Sequence, residues 1–218
     1  MKKKVIILGG IGNGSVIAAA MLDAYRRGSR DHEFVGYLND RCNKNELVEG
    51  MPVLGKLSDA KRFANDGYYI VNTIYRIDGQ QKRIDLFESL DIPDSMLATF
   101  VHPFAYIAPQ VKLGAGCVVM PNASISPGCS FGKCCLIMTN ASVGHNTAVG
   151  DHCHFAAQSC ISSFVHVNNG VHVGLNATIR EKITLGTNSA LGMGAVLLSD
   201  VKKNELWVGN PARLLRKT

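Results

Sequence analysis

The chain has 218 residues, 46% of them hydrophobic and 18% charged, which is enough to bury the cores of two small domains and excludes a disordered tail. No apolar run approaches the roughly 20 residues of a membrane span, and the opening MKKKVIILGG breaks into glycine before it forms a signal-peptide core, so a cytoplasmic location is expected. Seven cysteines without zinc-type pairs fit a reducing compartment, and the net charge of +6 is spread along the chain with no aromatic-interleaved basic stretch, which argues against nucleic acid as a partner.

Residues 1–98 read as an α/β unit. KKKVIILGG has the composition of a buried strand, GGIGNG is a glycine-rich turn, and SVIAAAMLDAYRRG carries apolar residues at helical spacing. EFVGYLND reads as a second strand, LSDAKRFA as a helix, YYIVNTI as a third strand and QQKRIDLFESL as another helix. This alternation predicts a small parallel sheet of Rossmann type. Gly9, Gly10, Gly12 and Gly14 place bare amides at a helix start, an arrangement that favours a phosphate, although a plain tight turn uses the same glycines and Ser15 stands where a dinucleotide motif has its third glycine. Asp40, at the tip of the second strand, is placed either to hold a ribose hydroxyl or to sit in solvent. FVHPFAYIAPQV then leads into the second half with no flexible linker, so the two parts should pack together.

From residue 99 onward a period of six takes over. Stepping by six from Ile107 through Leu113 and Val119 to Leu197 gives sixteen consecutive large apolar residues. The residue four places after each is never charged and mostly small. Helical periodicity does not generate this rhythm, and an ordinary amphipathic strand does not need the small residue. It predicts a parallel β-helix in which three hexads close a coil of 18 residues, with residues 18 apart stacked at the spacing of paired strands. Cys117, Cys135 and Cys153 are 18 apart and should form an interior ladder of apolar fillers, not nucleophiles. Cys134 and Cys160 fall outside the two core positions.

VGHNTAVGDHCHFAAQ crowds His145, His152 and His154 into ten positions. On the hexad frame they are third, fourth and sixth residues, outward or at corners. Zinc needs ligands converging within about 2.1 Å of one point. His145 and His154 are half a coil apart and lie on different edges of the prism, so one chain does not unite them. Two prisms packed about a threefold axis bring one edge against the other, and a site at that seam stands beside the plain alternative of surface histidines.

These segments, with GGIGNGS, YLND, VHPFAYIAP and the closing VGNPARLL, resemble the bacterial sugar O-acyltransferases of the sialic-acid O-acetyltransferase and PglD-like type, within the hexapeptide-repeat acyltransferase superfamily. The likeness covers essentially the whole chain. It implies a Rossmann-like nucleotide-sugar-binding domain over residues 1–98 and a left-handed parallel β-helix acyltransferase domain with a C-terminal tail over 99–218, assembled as a homotrimer. It further implies acetyl-CoA as cosubstrate in the seam between helices, no metal, and N-acetylation of a nucleotide-linked, UDP-type, 4-amino-deoxy sugar for polysaccharide or glycoprotein synthesis. The catalytic histidine of the family falls on His145, beside Asn146. His154, Ser163, Leu175, Gly192, Met193 and Gly194 fall where acyl-CoA is contacted, and Gly10, Gly12, Asn13, Gly14, Asn39, Asp40 and Thr73 where the nucleotide sugar is held. Two departures stand out: the family has an acidic residue where this chain has Asn146, and often a histidine where it has Asn13. Three other readings remain beside this one: an O-acetyltransferase of a sugar such as sialic acid, a non-catalytic β-helix binding module, and an NAD-dependent oxidoreductase. The last lacks any hydride-handling motif such as Tyr-x-x-x-Lys.

Overall fold

The computed structural model describes residues 2–218. In the N-terminal part, β1 (Lys3–Leu8), α1 (Asn13–Arg26), β2 (His32–Leu38), a hairpin of β3 (Leu47–Val48) and β4 (Met51–Gly55), α2 (Ala60–Asn65), β5 (Tyr69–Asn72) and α3 (Gln80–Glu88) follow in order. The sheet order is β3-β4-β2-β1-β5, parallel except for β3 against β4. β1 is central because both its faces are buried: Val5, Ile6, Ile7 and Leu8 are inaccessible, with Ile17 and Met21 of α1 on one side and Ala60 and Ala64 of α2 on the other. The strands and helices predicted from periodicity are present. Periodicity does not predict the β3–β4 hairpin, since EGMPVLG has glycine near both ends, proline in its middle and too few residues for a periodic signal.

From Tyr106–Ile107 to Val196–Leu197 the chain lays down sixteen two-residue strands, one every six residues. They stack in parallel into three walls, in which each strand pairs with the one 18 residues on, such as Ile125 with Val143 and Ile137 with Phe155. The second residue of each strand points inward and forms the prism core with the small residue that precedes the strand. The corner residue before that small one turns through a left-handed conformation at hexad intervals, in Asn122, Cys134, Asn140, Asn146, His152, Gln158 and Phe164 among others. Asparagine tolerates this region, which explains its frequency at these corners. Cys117, Cys135 and Cys153 are fully buried in the interior as the spacing predicts, Cys134 is buried at a corner under the other domain, and Cys160 is exposed.

The two parts interlock without a linker. Leu97 bridges to Ile70 at the end of the α/β sheet, and three residues later Phe100 pairs with Val118 in the first coil. One wall of the prism turns its outer face to the sheet, so Val118, Met120, Leu136 and Met138 share a core with Phe34, Tyr37 and Phe100. Helix α3 lies along the next corner. His152 Nε2 meets Glu88 at 2.9 Å, Lys133 joins Glu88 at 3.0 Å, and Asn188 donates to Gln81 at 2.8 Å. No helix among the described residues is long and apolar enough to cross a membrane.

Candidate active site

The C-terminal ends of β1, β2 and β5 open into a cavity of about 540 Å³. Chain order places it there: from β1 the sheet grows to β2 on one side and β5 on the other, so the loops that follow these strands diverge and leave a crevice. Gly10, Asn13, Gly14, Asn39, Asp40 and Thr73, all predicted, line it. Gly12, also predicted, does not; it caps α1, its amide bonded to the Ser15 hydroxyl at 3.3 Å. Gly9 and Gly10 sit in close packing. A Cβ on Gly9 would sit 2.6 Å from Thr73 Oγ1, and one on Gly10 2.4 Å from Asn39 Nδ2. Thr73 Oγ1 donates to the Leu8 carbonyl at 2.6 Å, and Asn39 Oδ1 accepts the Arg41 amide at 2.9 Å, so both side chains brace the loops. Asp40 is not simply solvated, since its Oδ1 accepts the Leu57 amide at 2.8 Å.

Sequence reasoning missed the cations of this cavity. Arg41, Arg76 and Arg83 line it with Asp40 as the only acidic neighbour on its wall, and among the described residues none of the three arginines forms an ion pair. Their surplus of charge, beside the amide-rich start of α1, suits a diphosphate. The end of β5 marks where such residues should lie, but no motif singles out Arg76 or Arg83.

A second pocket, about 300 Å³ and mostly apolar, adjoins the first, and Asn13 lines both. It is walled by Met138, Ala156, Gly174, Leu175 and Met193, and floored by His154 and His172. His154 points out of its wall as the hexad frame requires, yet it is buried, not surface-exposed, because the loop after β5 covers it: the Tyr75 ring lies 5.5 Å away, its hydroxyl donating to the Cys134 carbonyl. His152 is likewise outward from the prism but buried under α3. Burial, reinforced by the neighbouring imidazole, holds the His154 pKa down to about 3, and burial holds that of His172 down to about 4. Both rings are therefore neutral near pH 7. Of the predicted acyl-side residues, His154, Leu175 and Met193 line this pocket, whereas Gly192, Gly194 and Ser163 do not.

His145 lies on the edge where the two other walls meet, whereas His154 is on the face of its own wall and not at an edge as the spacing suggests. Its ring is exposed, with Nδ1 2.9 Å from Asn146 Oδ1 and Phe164 edge-on at 5.0 Å between centroids. Ser163 is one coil above. At the same hexad position on another edge the amides of Lys133 and Asp151 are capped by the side chains of Asp151 and Asn169, but among the described residues nothing caps the Ser163 amide. One chain thus carries two half-sites, His145 with Asn146 and Ser163 on one edge, and His154 with the two cavities on the opposite wall. The three clustered histidines do not converge, and no group of metal-ligating side chains is assembled among the described residues.

No protein-family model matches the chain, and no curated protein sequence does. Solved structures do. The acetyltransferase domain of PglB from Neisseria gonorrhoeae, solved with acetyl coenzyme A, is 24% identical over 99% of this chain and 100% of its own, with a TM-score of 0.83. A variant of perosamine N-acetyltransferase from Caulobacter crescentus, solved with CoA and GDP-perosamine, is 25% identical over 98% of this chain and 97% of its own, with a TM-score of 0.81. WeeI from Acinetobacter baumannii is 22% identical over 98% and 100%, also with a TM-score of 0.81. The chain has the fold of the hexapeptide-repeat sugar acetyltransferases, a Rossmann-like domain followed by a left-handed parallel β-helix.

Proposed function

We propose that this chain is an acetyl-CoA-dependent N-acetyltransferase acting on a nucleotide-linked 4-amino-deoxy sugar, with its reaction centre formed between neighbouring copies in a homotrimer. The observation that carries this reading is the shared wall at Asn13, which joins an arginine-lined cavity of nucleotide size to an apolar pocket ending at His154. A nucleotide held by the first presents its sugar toward the second. The Caulobacter crescentus enzyme, solved with CoA and GDP-perosamine, supports both ligand classes.

His145 is exposed, faces neither cavity of its own chain, and sits on a prism edge, which supports its delivery to the pocket of an adjacent copy. There the sugar amine attacks the thioester carbon as His145 Nε2 takes its proton; the C–N bond forms, the C–S bond breaks, and the departing thiolate takes up the proton that His145 received. The developing oxyanion is met by the free Ser163 amide and by His154. No covalent enzyme intermediate is needed.

The experiment is a screen of the purified protein with acetyl-CoA against UDP-, dTDP- and GDP-linked 4-amino sugars, read by thiol release. Release that depends on one of these acceptors is the expected result, with the UDP-linked sugar expected to be the best substrate. A flat trace with every acceptor would overturn the transferase reading in favour of a binding module.

A further inference from the structure

Eighteen residues after His154, one strand up on the same wall, stands His172. The two rings approach at 4.8 Å between centroids, and their Nδ1 atoms are 2.9 Å apart. At that distance two N–H groups collide and two lone pairs repel, so the nitrogens share one proton. Both rings are neutral, and each holds a single proton. Only two arrangements remain. Either His172 donates from Nδ1 and His154 carries its own proton on Nε2, or His154 donates from Nδ1 and turns a bare lone pair outward.

What lies beyond His154 Nε2 discriminates between them. That nitrogen is buried and has no partner among the described residues, and it belongs to the ring that floors a pocket walled mostly by alanine, glycine, methionine and leucine. A buried polar nitrogen left alone is costly, and beside this pocket an acceptor on a bound ligand would complete its hydrogen bond. The Nε2 of His172, on a half-buried ring, is not enclosed in the same way. An acyl thioester brings a carbonyl oxygen, which a lone pair repels and an N–H attracts, more strongly as charge develops on that oxygen.

We infer that His172 is a positioning residue that fixes the tautomer of His154: its Nδ1–H donates to His154 Nδ1, so that His154 aims an Nε2–H into the apolar pocket as the donor for the acyl carbonyl. The inference rests on the acyl-transfer reading of this pocket. Its geometric part, the direction of the Nδ1–Nδ1 bond, is testable without turnover.

Nitrogen NMR of the unliganded, histidine-labelled full chain at neutral pH reads that direction, with resonances assigned by their loss in His172→Asn and His154→Phe. The expected spectrum has protonated His172 Nδ1 and His154 Nε2 and an unprotonated His154 Nδ1. A proton on His154 Nδ1 overturns the inference. Kinetics give the second readout. His172→Asn keeps an N–H near the same place and should hold kcat within about threefold. His172→Phe removes the donor and should lower kcat about tenfold or more, while the KM for acetyl-CoA and the Kd for CoA stay within about twofold. Full kcat in His172→Phe, or equal losses in both variants while both remain folded, overturns it as well. Should the unsubstituted protein acetylate no amino sugar, the acyl-transfer reading fails by itself, and the nitrogen spectra still decide the tautomer.

Discussion

His145 Nδ1 lies 2.9 Å from Asn146 Oδ1, at a corner where Asn146 itself adopts a left-handed conformation. An amide oxygen only accepts, so the ring proton sits on Nδ1 and Nε2 is free to receive another. The histidine is oriented without added negative charge. On the proposed mechanism, His145→Ala lowers kcat by about 10²- to 10⁴-fold while the Kd values for CoA and nucleotide sugar hold, as steady-state kinetics and calorimetry would show. Because an amine loses its proton during attack far more easily than a hydroxyl, the neutral Asn146 favours a nitrogen acceptor. Matched amino and hydroxy sugars should give the higher kcat/KM for the amine; a clear preference for the hydroxyl would end this account of Asn146.

The separation of His145 from the pocket of its own chain makes a prediction about mixtures. If each site combines His145 of one copy with His154 of the next, trimers assembled from His145→Ala and His154→Ala chains regain intact sites, about a quarter of the total at equal mixing. Co-expressed and co-purified variants should therefore exceed either parent in thiol release. Activity no higher than that of the parents would mean that the site lies within one chain, or that the two half-sites never meet.

The His154–His172 pair should make the fold acid-sensitive. In the unfolded chain histidine titrates near pH 6.5, whereas in the fold burial holds these two to about 3 and about 4. Above the unfolded value neither state binds the extra protons, and the pair adds no pH dependence. Below it the unfolded chain gains protons that the folded chain refuses, so stability falls by up to about 1.4 kcal/mol per pH unit for each histidine until the folded values are reached. Thermal melts should show Tm dropping from pH 6.5 to pH 4, with a shallower drop in the His154→Phe/His172→Phe double variant. An equal slope in that variant would assign the acid sensitivity to other groups.

Gly10 tests the nucleotide cavity. A Cβ there would meet Asn39 Nδ2 at 2.4 Å, the movable end of a side chain, so the chain can fold around it only by displacing Asn39 from the turn it makes with Arg41. Gly10→Ala should raise the KM for the nucleotide sugar about tenfold and leave kcat and the KM for acetyl-CoA nearly unchanged. A rise in the acetyl-CoA KM instead would show that this loop serves the other substrate.

Much of this site is legible in the residues alone because a coil of fixed length converts sequence distance into spatial distance. The same arithmetic that stacks Cys117, Cys135 and Cys153 also places His172 above His154, and it separates His145 from His154 by half a coil. The α/β half is less transparent. Its strands and helices follow from periodicity, but the β3–β4 hairpin and the arginines around the cavity lie in segments with no period to read.

By itself the sequence determined the three-walled prism, its interior and the small parallel sheet in front of it, because burial of apolar side chains repeats at the step of the local backbone. Only the tertiary structure decided which outward residues are surface. Tyr75 and α3 fold across the prism from far away in the chain, burying His154 and His152 while leaving His145 exposed, and no local pattern encodes which corner a distant loop will cover.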